Sequence, residues 1–247
     1  MFDPPQYIQN SFNVFFQRQP SIRRKADTFE TLLEATYDPP LVLPIPDDQD
    51  PEVPRLVFSS KTGYSQIVIS QISIALNVQY STDFQIDISK GRAYLSDRVP
   101  TLFQLLSKLS ISANYCGFAT VVHLPSDRDD TTIVSHLTAK FLTNLDVNDA
   151  YDVQFKTTKL VDRTFFSNVT VQNYRAWKSG MVPQQSTRVS EENIIGRGVQ
   201  IVGDYNDRFA FNEKKGYSSG KDKAKTIIDG GLEAVAQMVA KIREIQL

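Results

Sequence analysis

Residues 54–80, PRLVFSSKTGYSQIVISQISIALNVQY, constrain the fold of this chain more than any other stretch. Pro54–Ser59 and Gln66–Tyr80 are rich in β-branched residues and flank Lys61-Thr62-Gly63, where glycine supplies the conformation a tight turn needs. The spacing predicts a strand over Arg55–Ser59 and one long strand over Gln66–Tyr80. Along the second, Val68, Ser70, Ile72, Ile74, Leu76, Val78 and Tyr80 fall on one face. Ile67, Ile69, Gln71, Ser73, Ala75, Asn77 and Gln79 fall on the other. One face is apolar and the second turns polar toward its end, so the hairpin reads as part of a half-covered sheet.

The rest of the first half supplies partners for that sheet. Asn10–Arg18 alternates as a strand through Phe12, Val14 and Phe16, and Asp27 is placed to cap a helix over Thr28–Thr36. Leu41–Pro54 holds Pro44, Pro46, Pro51 and Pro54 around the acids Asp47, Asp48 and Asp50, and reads as an extended, solvated connector. Phe84–Ser89 alternates as a short strand. A helix is predicted from near Pro100 through Leu109, then a buried strand over Asn114–Leu124. This order is β-α-β-β-α-β, the pattern of a ferredoxin-like unit.

Ser126–Asp130 is a polar break, and divides the chain into expected halves 1–126 and 127–247. The second half reads as a helix to Thr143, a turn over Asn144–Ala150, strands over Tyr151–Val161 and Phe165–Trp177, and a polar loop over Lys178–Glu192. A further strand is expected over Gly198–Phe211, and a final helix in which Ile228, Leu232, Val235, Val239 and Ile242 make one stripe. Gly230-Gly231 predicts a kink or a late start there. The expected class is α+β: two ferredoxin-like-related halves, antiparallel sheets, helices packed on one face.

Composition narrows the function classes. Twenty-two per cent of the 247 residues are charged and the net charge is −1, which argues against a dominant polyanion-binding role. The single cysteine, Cys116, excludes an intramolecular disulfide. The first residues, MFDPPQYIQN, lack the features of a signal peptide, and no run approaches the ~18–20 apolar residues of a membrane span. The expectation is a cytoplasmic protein with no membrane partner.

Few residues fall into patterns that carry chemistry. Cys116 and His123 differ by an odd number within one strand and so face opposite ways, and His136 lies in a helix, which leaves no local nucleophile–base pair and no zinc spacing. Gly216–Asp222 has one residue too few between its glycines for a phosphate loop, and Asp222 follows Lys221. Asp204 and Asp207 follow an apolar strand as some metal-dependent phosphodiester enzymes arrange their carboxylates, with Asp87 and Glu191 as further candidates. Arg23, Arg24 and Lys25 form a basic patch. Lys156, Lys159, Arg163, Arg175 and Lys178 lie near Tyr174 and Trp177, so nucleic acid is a possible partner, though not the favoured one.

Pro44-x-Pro46, then Pro54-Arg55-x-x-Phe58, Gly63-Tyr64 and Val68, with Gly198-Val-Gln-Ile and Asp204-Tyr-Asn206 before a last helix, resemble a sporadically distributed bacterial family without assigned activity. An aromatic Asn-Trp-Arg segment frequent in that family is replaced here by Leu76-Asn77-Val78-Gln79-Tyr80. The resemblance implies an accessory, defence-type bacterial protein that works beside a partner. The leading expectation is a non-enzymatic interaction or regulatory protein, without cofactor or metal, that binds a protein partner or forms a homo-oligomer. Its contact residues are expected at Asn77, Gln79, Tyr80, Arg175 and Trp177.

Overall fold

The apolar phase of Gln66–Tyr80 slips by one residue, and the chain folds there. Ile67 and Ile69 are buried, then Ile74, Leu76 and Val78. A single straight strand cannot turn odd and even positions to one core. The computed structural model, which describes residues 1–142, 149–178 and 190–244, resolves the conflict with a hairpin at Ser70-Gln71-Ile72. Ser70 Oγ accepts the N–H groups of Ile72 and Ser73. Gln71, fully buried, donates to the carbonyls of Pro20 and Asp47 and accepts from Arg18 Nε. The expected long strand is therefore two, β4 (Ser65–Ile69) and β5 (Ser73–Gln79).

These strands belong to one continuous sheet of nine, not two sheets. The others are β1 (Gln6–Phe16), β2 (Leu41–Val42), β3 (Leu56–Ser59), β6 (Ala113–Ser126), β7 (Gln154–Val161), β8 (Phe165–Trp177) and β9 (Ile194–Asn206). The order is β2-β3-β4-β5-β1-β6-β9-β8-β7, antiparallel throughout. β1 and β6 form the central seam, with Phe12 opposite Phe118 and Val14 opposite Cys116. Outward from each seam strand the chain adds a meander, β5-β4-β3 on one side and β9-β8-β7 on the other. Each side also contributes a helix after its seam strand and a longer one after its meander: α1 (Ala26–Leu33) and α3 (Ile88–Lys108) on one, α4 (Asp130–Phe141) and α6 (Lys221–Arg243) on the other. The two halves repeat one topology.

All four of these helices lie on the face that holds Phe12, Phe58, Leu76, Phe118, Val171 and Ile201. α3 packs on β1 and β5, α4 on β8 and β9, and α6 on β6, β8 and β9 and against α3. One apolar cluster spans the seam: it joins Phe12, Leu76 and Leu102 with Tyr205, Ile228 and Leu232 of the second half. The core thus crosses the expected boundary at residue 126.

Several local expectations change for identifiable reasons. Phe84–Ser89 is helical: α2 (Thr82–Gln85) is followed by α3, whose cap is Asp87 accepting from the Ser89 N–H. The element order to β6 is accordingly strand, helix, four strands, two helices, strand, in place of β-α-β-β-α-β. Pro100 sits inside α3, exposed to water, and does not start it. The last part of Gly198–Phe211 is helical, α5 (Arg208–Glu213). α6 runs unbroken through Gly230 and Gly231, because a Cβ at these positions would meet the Tyr205 ring and Phe118 Cδ1 at 2.6 Å each. These glycines bring the helix onto the sheet instead of bending it. The expected turn Asn144–Ala150 and loop Lys178–Glu192 lie largely outside the described residues.

Candidate functional site: the uncovered sheet face

The face away from the four helices is built from alternate residues of the same strands. Across the seam its rows read Ala75, Asn13, Gly117, Asn206, Phe166; then Asn77, Ser11, Ala119, Asp204, Asn168, Thr158; then Gln79, Gln9, Val121, Val202, Thr170, Lys156. A fourth row holds His123, Gln200, Gln172 and Gln154. Among the strand residues of these rows only Asp204 and Lys156 are ordinarily charged at neutral pH. Uncharged amides, hydroxyls, small aliphatics and a few aromatics make up the rest.

Side-chain hydrogen bonds run across the strands. Ser11 donates to Asn77 and accepts from Asn13. Gln172 donates to Gln200, which donates to His123 Nε2, and the imidazole stacks on Tyr174 with ring centres 4.2 Å apart. Thr158 donates to Asn168, and Asn168 and Asn206 each donate to one oxygen of Asp204, both at 3.0 Å. The Asp204 carboxylate is oriented by two neutral donors, and among the described residues it has no ion-pair partner.

Beside it lies a recess of about 190 Å³ lined by Asn13, Phe15, Tyr115, Gly117, Ala119, Asp204, Asn206 and Arg208. Gly117 and Ala119 leave room at its floor. Phe15 and Tyr115 stack at 4.5 Å to form one wall, Phe211 of α5 braces Tyr115, and the Arg208 guanidinium carbon sits 5.7 Å from the Tyr115 ring centre. A second, wholly uncharged recess of about 440 Å³ opens in the first half, with Gln9, Gln66, Asn77 and Gln79 on its walls.

Of the expected contact residues, Asn77 and Gln79 stand exposed on this face. Tyr80 does not: it is 4% exposed on the helix side, where Asn10 donates to its hydroxyl and burial pushes the phenol well above its usual range. Arg175 also faces the helix side. It is clamped by Asp152 at 2.6 Å and Asp130 at 3.1 Å and lies over the Tyr151 ring, where it fixes the start of α4 to the end of β8. Trp177 ends β8 beside a register shift, next to a recess it lines with Gln172 and Tyr174. The basic patch divides: Arg23 donates to the Ile45 carbonyl and approaches Asp47, pinning the proline-rich connector, while Arg24 and Lys25 are exposed.

The carboxylate pair considered for metal chemistry separates. Asp204 faces the open side. Asp207 is fully buried and accepts from the Cys116 N–H, the Tyr217 hydroxyl and the Ser219 hydroxyl, each at 2.6 Å. It ties β9 to the lead-in of α6. Asp87 is a helix cap, and among the described residues no three His, Cys, Asp or Glu side chains converge as a metal site. Cys116 is buried with its thiol pushed up to about 12, chiefly by desolvation, and His123 is on the other face, as their odd spacing required. Sequence reasoning missed Asp204 as a lone, amide-held carboxylate. The available signal was its place at an open-face position, two residues before Asn206.

No protein-family match is found for the chain, and no curated protein is similar to it in sequence. Among the described residues no helix is long and apolar enough to cross a membrane.

Proposed function

We propose that this chain is a non-enzymatic interaction protein that uses its uncovered sheet face to bind a protein partner or a second copy of itself. The observation that carries the proposal is the composition of that face. Protein interfaces are depleted of charge and enriched in aromatics at their centres. Here the face combines Val121, Val202 and Phe166, with Phe15 and Tyr115 at one end, with amides and small residues, and only Asp204 and Lys156 in its rows carry charge, in a chain that is 22% charged overall. The rows cross up to six strands at ~4.8 Å spacing, about 29 Å, and three rows of side chains add about 20 Å along the strands. The resulting area, roughly 580 Å², is close to one side of the smaller specific interfaces, at about 600 Å² per partner. Lys156 alone supplies positive charge within those rows, so a nucleic-acid role draws little support from electrostatics. Kinship of each half to a ferredoxin-like unit enlarged by added strands, and of the chain to an accessory bacterial family, belongs to the same proposal. It is supported by the one-sided helix layer and by the Pro54-Arg55-x-x-Phe58 hairpin.

Ala119→Arg places a charge at the middle of the face without touching the core. The variant is expected to keep the wild-type circular dichroism and thermal midpoint while losing whatever binds the face. Light scattering on the purified protein reads self-association, and quantitative mass spectrometry of co-purifying proteins reads a foreign partner. Identical mass and identical co-purifying proteins for the two forms would reject the proposal.

A further inference from the structure

We infer that the recess at Asp204 receives an arginine side chain of the protein partner. This rests on reading the uncovered face as the binding surface, and it names the chemistry at the recess beside Asp204. Asp204 is held in place by Asn168 and Asn206, and these amides orient its oxygens without neutralising them. Asn168 is itself fixed by Thr158, and Asn206 accepts the Arg208 N–H, so the carboxylate is positioned before any ligand arrives. A half-buried, uncompensated carboxylate beside an aromatic wall attracts a cation.

Guanidinium fits this site better than ammonium. It is planar, stacks on aromatic faces, and pairs with a carboxylate through a fork of donors. The recess, about 190 Å³, offers both elements: the flat Phe15–Tyr115 pair and the Asp204 oxygens, with Asn13 as a further polar group on its lining. The molecule already shows the wall's preference, since Arg208 rests its own guanidinium against Tyr115 at the exposed rim. Arg208 then competes with the incoming cation and swings into water when it binds. The first-half recess around Asn77 and Gln79 has no charged side chain on its lining, so the cationic anchor binds at the Asp204 end and sets the direction in which the partner lies.

The test uses the full chain and three probes: the Nα-acetyl methylamides of arginine, lysine and citrulline, the last being an uncharged isostere of arginine. Amide shifts of Gly117, Ala119 and Asn206 are followed by NMR. The expected result is saturable binding of the arginine probe, weaker binding of lysine, and none of citrulline. Asp204→Asn weakens the arginine probe about tenfold, the loss of one charge-assisted pair, and Arg208→Ala strengthens it. Citrulline binding as well as arginine, an unchanged affinity in Asp204→Asn, or no saturable shift with any probe would each overturn the inference. If Ala119→Arg still abolishes partner binding in that case, the face remains the interface and only the arginine anchor is lost.

Discussion

His123 terminates a row of uncharged donors and acceptors on the open face. Its Nε2 accepts from Gln200, so its proton sits on Nδ1, and burial against Tyr174 and its neighbours lowers its pKa below the ordinary value near 6.5. Protonation therefore favours the unfolded chain. Stability is expected to hold above about pH 6.5, to fall as pH drops through the interval below it, and to level off beneath the folded-state pKa. His123→Gln removes that component, and urea midpoints measured across the range check it. A variant curve that tracks the wild type would show that another group is responsible. Residue type alone could announce a polar row here but not its face. Tyr80 and Arg175, expected as contact residues, lie on the helix side, because a hydroxyl with Asn10 as donor and a guanidinium between Asp130 and Asp152 are both satisfied there.

Close approach of α6 to the sheet rests on missing side chains. Gly231 faces Phe118 and Gly203 of β9 faces Val235, where a Cβ would stand 2.4 Å from Val235 Cγ2. In an exposed helix Gly→Ala gains about 1 kcal/mol. At Gly231 the overpacking cost of about 1–3 kcal/mol opposes it, so Gly231→Ala is expected to lower stability, by up to about 2 kcal/mol net, read from denaturant midpoints. A stabilised variant would mean that the helix shifts freely. Sequence periodicity located α4, α6, β3, β6 and β8 because each keeps one period over its length. It failed over Phe84–Ser89, where six residues satisfy either period and the Asp87 cap decides. It also merged β4 with β5, although the shift of burial from Ile69 to Ile74 was readable as a break in phase.

At the level of the whole molecule, the sheet is continuous and one apolar cluster straddles the seam, while Arg92 of α3 pairs with Asp229 of α6 on the outside. Residues 1–126 and 127–247 are thus expected to unfold together. Calorimetry should give one transition with equal calorimetric and van't Hoff enthalpies, and two resolved transitions would contradict a shared core. The layering of helices on one side was legible from amphipathic stripes. Strand order was not, since pairing between β1 and β6 leaves no local trace in either segment.

That seam also governs how the chain is made. One flank of β1 waits for β5, and the other waits for β6, whose Phe118 lies over a hundred residues downstream of Phe12. Loop closure must precede the contacts that reward it, which makes such pairings slow. During synthesis the backbone of β1 therefore stays open along one side until most of the first half has left the ribosome. Neighbouring nascent chains on one message carry the same open flank at the same stage, and it is there that mispairing between copies begins.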